Sequence, residues 1–235
     1  MSSRPSAPAV RQRRRPTRSG LVLDKQSIVK AALRLLKEEG QAGLSTRRLG
    51  RALGADHTAI YRYFRNVNDL ELAITDEMIR QATRQWQATG VWHEDLARWG
   101  LSAHAVYMDN PAAAQVTATR ITGGDPELAG VESIVSLLRG AGFPPTHAVM
   151  FYELFISQLL AYAQWDGAKK LLPDEQRKQD IARWKGIYIK LAPEEYPAIA
   201  DNAALIGELQ GLDNYPRALR ILLASMKATL AELQG

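Results

Sequence analysis

The sequence predicts an all-α protein, with a small three-helix head at the N-terminus followed by a larger helical bundle. Three observations carry that expectation. Residues 44–64, LSTRRLGRALGADHTAIYRYF, read as two short helices joined by a tight turn. From residue 91 onward apolar side chains recur at helical spacing, with no strand-like alternation. The chain has 235 residues, 46% of them apolar and 23% charged, which suffices for a substantial hydrophobic core.

Residues 1–20 hold six arginines, among them Arg13, Arg14, Arg15 and Arg18, together with three prolines and no acid. Such a segment buries too little apolar area to fold, so it is expected to be a disordered basic arm drawn to phosphates. Entry of the arm into a minor groove stays open at this point. Asp24 is placed to cap a first helix over about 25–38, with Ile28, Ala31, Ala32, Leu35 and Leu36 as its core stripe and Gly40 at its end. Within 44–64, Ser45 is a good N-cap and Leu49 and Leu53 form an apolar i, i+4 pair. Gly54 stands where a helix end needs positive φ. Asp56 can cap the second helix, which then buries Ile60 and Phe64.

The faces left to solvent carry Arg47, Arg48, Arg51, His57, Thr58, Tyr61, Arg62 and Tyr63. That set of cations, donors and aromatic hydroxyls suits a phosphate-lined groove. The layout is a helix-turn-helix with the second helix as reader. His57, Thr58, Ala59 and Arg62 lie on its exposed face and early turns and are the expected base contacts.

The run G-A-D-x-T-A-I-Y-R-Y-F, followed by NVNDLELAI, resembles the DNA-binding head of the TetR family of one-component transcriptional repressors, over roughly residues 21–75. The resemblance implies that Arg47 reaches a guanine edge and that the hydroxyls of Thr46, Tyr61 and Tyr63 bond phosphates, fixing register; Ser45 is a further expected phosphate contact. One position departs from the family pattern. The lysine usual three residues after the phenylalanine is Val67 here, and Arg65 is the expected substitute at the phosphate.

Asn68 is expected to cap a long helix over about 69–88, broken by Thr89-Gly90, which in the resembled family acts as the pendulum between ligand and head. Further helices are expected over 93–108, 111–121, 127–140, 145–165, 174–191 and 214–233, with a short one near 195–208. Helix 145–165 is apolar nearly all round and so must be covered on every side. The last helix carries a long i, i+3/i+4 apolar series. The resemblance implies that these two helices form a four-helix interface between two copies, through Leu159, Tyr162, Leu219, Leu222, Leu223, Met226 and Leu230. A ligand pocket is expected among helices 93–108, 111–121 and 145–165. Its apolar walls would be Trp99, Met108, Phe151 and Phe155, with His104, Tyr107, Thr117, Tyr152 and Gln158 as orienting groups.

Charge is divided unevenly. Residues 1–67 hold fifteen Lys/Arg against four Asp/Glu, whereas residues 68–235 hold fifteen against twenty-one. One end therefore suits a polyanion. With no cysteine there is neither a disulfide nor a thiolate metal site. Four scattered histidines make no metal cluster, no glycine loop cradles a phosphate, and no catalytic constellation is visible, so neither an enzyme nor a cofactor is expected. No apolar run reaches the ~20 residues of a membrane span, which makes the cytoplasm the default. The expected organisation is a basic arm (1–20), a helix-turn-helix DNA-binding domain (21–67) and a helical ligand-binding and dimerisation domain (68–235). The expected function is sequence-specific repression: a homodimer on a palindromic double-stranded operator, released by a largely apolar small-molecule effector. The alternative is a ligand-independent or partner-regulated DNA-binding protein, architectural or activating.

Overall fold

The computed structural model describes residues 23–84, 86–208 and 214–235, and among these it is all-helical. Helix α1 (Lys25–Glu39) opens with a reciprocal cap. Asp24 accepts from the Ser27 backbone N–H at 2.7 Å, and Ser27 accepts from the Asp24 N–H at 3.0 Å. Its expected stripe is buried, with Ile28 and Ala32 fully enclosed, and Gly40 closes it at φ 64°. Helix α2 (Thr46–Leu53) is capped by Ser45 and ended by Gly54, whose φ of 62° and ψ of 30° lie in the left-handed region that glycine adopts without penalty.

The reading segment differs from expectation in kind. Residues His57–Arg62 form a 3₁₀ helix, not an α-helix, with i→i+3 bonds such as Ala59 N–H to Asp56 O at 2.9 Å. Six residues rich in β-branched and aromatic side chains have little α propensity, so the tighter winding wins. The expected cap and core hold: Asp56 accepts from Thr58 N–H, and Ile60 and Phe64 are buried.

Helix α3 (Val67–Thr83) starts earlier than expected. Its cap is Asn66, not Asn68, because Asn66 has the extended backbone and its side chain accepts from Asp69 N–H at 2.8 Å. It also ends before residue 88. The buried carboxylate of Asp95 takes the N–H groups of Thr89 and Gly90, and Asp95 O receives Trp86 Nε1–H, so this stretch is captured by the next helix. The bundle continues with α4 (Trp92–Asp109), α5 (Pro111–Thr117), α6 (Asp125–Gly140) and α7 (Pro145–Leu171). It closes with α8 (Asp174–Ile189), α9 (Pro197–Glu208) and α10 (Asn214–Gln234).

Two apolar cores result. The first joins Ile28, Leu36, Leu49, Ile60, Phe64, Leu70, Ile74 and Met78 to Tyr107 at the end of α4, to Ala112, Ala113 and Ala114 of α5 and to Ala163 of α7. The second gathers Leu96, Trp99, Phe143, Phe151, Phe155, Leu159, Tyr215, Leu219 and Met226. Each fully buried Leu, Ile or Phe contributes about 1.5–3 kcal/mol against solvent exposure. Helices α8 and α9 pack chiefly on each other and leave Ile181, Trp184, Ile187 and Leu205 exposed.

Helix α7 turns Phe151, Phe155 and Leu159 inward and leaves Val149, Met150, Leu154 and Trp165 in solvent. Four residues expected between copies, Leu159, Leu219, Leu223 and Met226, are instead buried in the subunit's own core. The spacing identified an apolar stripe but not which side of the helix it served. Tyr162, Leu222 and Leu230 are half-buried around that core.

Candidate functional site

The helix-turn-helix is held by one very close approach. A Cβ on Gly50 would lie 2.9 Å from Ala55 O, His57 Cα and His57 N, so α2 and the reading segment meet backbone to backbone. That contact, with Leu49, Leu53, Ile60 and Phe64 buried beneath it, aims the remaining side chains outward. Arg47, Arg48, Arg51, His57, Thr58, Arg62 and Arg65 are exposed, Tyr61 is half exposed, and Ala59 is partly covered.

Their hydrogen bonds separate them. Arg47 and Arg62 form no ion pair among the described residues, so their guanidinium groups are available to an anion or a base edge. Arg48 is paired with Glu39, and Arg65 Nε donates to Asp69 at 3.0 Å while most of its side chain stays in solvent. That bond from Arg65 is the main reason the Asp69 carboxyl is held below its ordinary range. The Thr58 hydroxyl donates to Asp56 at 2.6 Å, which with the Thr58 N–H holds the Asp56 carboxyl low. Thr46 and Tyr61 bring their hydroxyls within 3.5 Å of each other, across the two helices. The Ser45 hydroxyl accepts from Arg48 N–H at 3.4 Å. Tyr63 departs from expectation. Its ring is half-buried and its hydroxyl donates inward to Leu23 O at 2.6 Å, so its proton is committed to the fold, not offered to a phosphate. The arm residues Arg13, Arg14, Arg15 and Arg18 lie outside the described residues.

A second site lies inside the body. A cavity of about 80 Å³ opens between α3, α4, α5, α6 and α7. Of the expected lining, Trp99, Tyr107, Thr117 and Tyr152 are there. His104, Met108, Phe151, Phe155 and Gln158 are not. His104 instead meets the buried Asp166 at 3.2 Å and stacks on Tyr215 at 4.6 Å. Phe151 and Phe155 pack on Phe143 and Trp99, Met108 packs against the first core, and Gln158 Nε2 donates to Ala218 O. The sequence reading missed the wall built by Thr75 and Ile79 of α3, and the one built by Arg120, Glu127 and Gly130. Gly130, a glycine in a helix interior where a Cβ would make ordinary contact with Ile79 and Trp99, was the available signal in the sequence. Burial pushes the Tyr107 hydroxyl up to about 12, and burial, then Glu153 and Glu127, raise that of Tyr152. Both phenols are therefore neutral donors at physiological pH. The Thr75 and Thr117 hydroxyls donate to their own helix carbonyls, at 2.9 and 2.8 Å. The Trp99 indole nitrogen, on a ring only 5% exposed, has no partner among the described residues. Among the described residues, no group of three or more His, Cys, Asp and Glu side chains could hold a metal ion, and no helix is long and apolar enough to cross a membrane.

Known proteins resemble both parts of the chain. The family model "Bacterial regulatory proteins, tetR family" matches residues 28–74, and "Tetracyclin repressor-like, C-terminal domain" matches residues 87–230. An HTH-type transcriptional regulator of Saccharopolyspora erythraea is 25% identical over 215 residues, 91% of this chain and 88% of that protein. The class G tetracycline repressor protein of Vibrio anguillarum is 32% identical over 130 residues, 54% of this chain and 61% of that one. Among solved structures, a possible TetR family transcriptional regulator from Streptomyces coelicolor superposes with a TM-score of 0.73 at 25% identity, over 88% of this chain and 100% of that one. The Streptomyces coelicolor protein ActR, in complex with actinorhodin, shares the fold with a TM-score of 0.79 at 23% identity, over 88% and 96% of the two chains.

Proposed function

Because the chain belongs to the TetR family of bacterial regulatory proteins, and is thus a DNA-binding transcriptional regulator and not an enzyme, we propose that it is a repressor released from its operator by a small molecule. The single observation that carries this reading is the position of the cavity. Its wall includes Thr75 and Ile79 of α3, and α3 runs on from the reading segment with only residues 63–66 between them. A ligand that changes the cavity must therefore act on the helix that holds the reader. Release requires that the effector bind the non-binding arrangement more tightly; equal affinity for both shifts nothing.

Two copies would act together on a palindromic operator, with half-sites about one DNA turn apart. Support for dimerisation comes from the apolar side chains that a lone subunit leaves in solvent on α7 and α10, among them Val149, Leu154, Trp165 and Ile221. In this reading Arg47, His57, Thr58, Ala59 and Arg62 contact bases, while Ser45, Thr46, Tyr61 and Arg65 contact phosphates. The basic residues 1–20 add phosphate attraction, and the protein works in the cytoplasm. The effector is a largely apolar molecule, since aromatic and aliphatic side chains dominate the cavity wall. Relatives named as tetracycline repressors, and ActR with actinorhodin, are compatible with that class.

Selection of duplexes from a random library by the purified protein tests the reading. An inverted repeat is expected. Tight, salt-sensitive binding with no recovered motif would overturn sequence-specific repression in favour of an architectural role.

A further inference from the structure

Arg120 connects the cavity to the head. It follows α5, lines the cavity, and donates through Nη2 to the side-chain oxygen of Asn68, 52 residues away in sequence. Asn68 sits in the first turn of α3, two residues after the Asn66 cap. The rest of the loop is fastened independently. The Thr122 hydroxyl lies between Asp76 of α3 at 2.6 Å and Glu127 of α6 at 3.0 Å, and the N–H groups of Thr122 and Gly123 donate to Glu127 at 2.8 and 2.6 Å. Gly124 allows this fit, since a Cβ there would fall 2.5 Å from the Asp76 carboxylate.

The charges in the wall are therefore unequally satisfied. Glu127, the acidic residue of the cavity wall, already accepts from the backbone N–H groups of Thr122 and Gly123. Arg120 forms no ion pair among the described residues and holds only a neutral amide. The guanidinium already donates to Asn68 as a cation, but an anionic oxygen adds direct charge–charge attraction that a neutral amide cannot supply, so such an oxygen inside the cavity outcompetes Asn68. The Trp99 indole nitrogen, buried in the wall, is unpartnered among the described residues, and the ring edge beside it, at Cζ2, lies 3.9 Å from where a Gly130 Cβ would stand. The remaining walls include Tyr107 and Tyr152, which suit a ring. About 80 Å³ is less than the roughly 150 Å³ of a cavity that takes benzene, so a ring seated here fills the space against a wall of which α3 is one side.

We propose that the effector is a compact aromatic compound bearing an anionic or strongly accepting oxygen, and that this oxygen draws Arg120 off Asn68 and frees the first turn of α3. The proposal rests on the cavity being the effector site. It makes Arg120 both the recognition group for the ligand and the latch on the DNA-competent arrangement.

The full-length protein tests both halves. By fluorine NMR, 4-fluorobenzoate is expected to bind the wild type and to lose about fivefold or more in affinity with Arg120→Met, whereas 4-fluorotoluene binds both proteins alike. Unchanged 4-fluorobenzoate binding in Arg120→Met, or none to the wild type, overturns the ligand class. For the latch, Asn68→Ala, Arg120→Met and the double variant are titrated with the selected duplex without ligand. Each is expected to weaken binding by a similar factor, about fivefold, with the double no worse than either single. Additive losses, or none, overturn the latch; because Asn68 is exposed, its variant folds even where Arg120→Met does not. Failure of the wild type to recover any duplex overturns the repressor reading itself, which is a separate result.

Discussion

Replacing Gly50 by alanine should damage the reader more than the fold. An alanine in the interior of α2 gains about 1 kcal/mol of helix propensity over glycine. Against this, the new Cβ meets three backbone atoms at 2.9 Å, and none belongs to a flexible side chain that could swing away. Overpacking of this kind costs about 1–3 kcal/mol, so the net loss is expected to fall between near zero and about 2 kcal/mol. For a chain of this length that lowers the melting temperature by at most about 8 °C. Reaching an ordinary contact of 3.4 Å requires residues 55–57 to retreat by about 0.5 Å, which is the limit of positional tolerance for a recognition site. Affinity for the selected duplex should therefore drop about tenfold, read by fluorescence anisotropy, while the melt shifts only modestly. A variant with an unchanged or raised melting temperature and wild-type affinity would refute the claim that this backbone contact sets the reader's position.

Four other outcomes follow from the same geometry. Arg47→Ala should cost about 1–3 kcal/mol on the best operator and relax preference at one base pair; an equal loss on every duplex would reassign Arg47 to phosphate. Tyr63→Phe removes the bond to Leu23 O, so urea titration should show a loss of about 0.5–1.5 kcal/mol in stability with operator affinity unchanged. Weaker DNA binding at unchanged stability would restore Tyr63 to the phosphate contacts. Burial alone would raise the Asp95 carboxyl, but hydrogen bonds from Thr89, Arg98 and Gly90 outweigh it and hold the folded value below the unfolded one of about 3.9. Its contribution is then present above about pH 4 and fades as pH falls through the lower folded value, so the stability gap between wild type and Asp95→Asn should narrow in acid. A gap constant from pH 7 to pH 3 would contradict that. Finally, deleting residues 1–18 should weaken binding to all duplexes and flatten its salt dependence; a loss confined to the operator would mean that the arm reads sequence.

The head was legible because short-range chemistry specifies it. Asp24, Ser45, Gly54 and Asp56 each act within four residues of their own position, and all four perform the local role that residue type suggests. Where two residues of one type compete, as Asn66 and Asn68 do, sequence offers no way to choose, because the decision lies in which backbone is extended. The body was legible as helices but not as surfaces. Leu159, Leu219 and Met226 have the periodicity of an interface and the burial of a core, since a stripe does not declare its partner. The cavity wall was half visible. Trp99 and Tyr152 stood out as aromatics, whereas Arg120, Glu127 and Thr75 look like ordinary surface residues until the chain returns from elsewhere to enclose them.

The first core also bears on engineering with this fold. Tyr107, Ala112, Ala113, Ala114 and Ala163 pack into the same cluster as Ile28, Leu36 and Phe64. A chimera that grafted a foreign reader onto this body by cutting near residue 67 would set two unrelated surfaces against each other at that seam. Alanines leave no side-chain length with which to adapt to a new neighbour. Swapped heads should therefore function only when the graft also carries the α5 face, or when the donor head presents a surface of the same shape. Portability of specificity in this protein should then depend on a patch of small residues in the first core as well as on the reading segment.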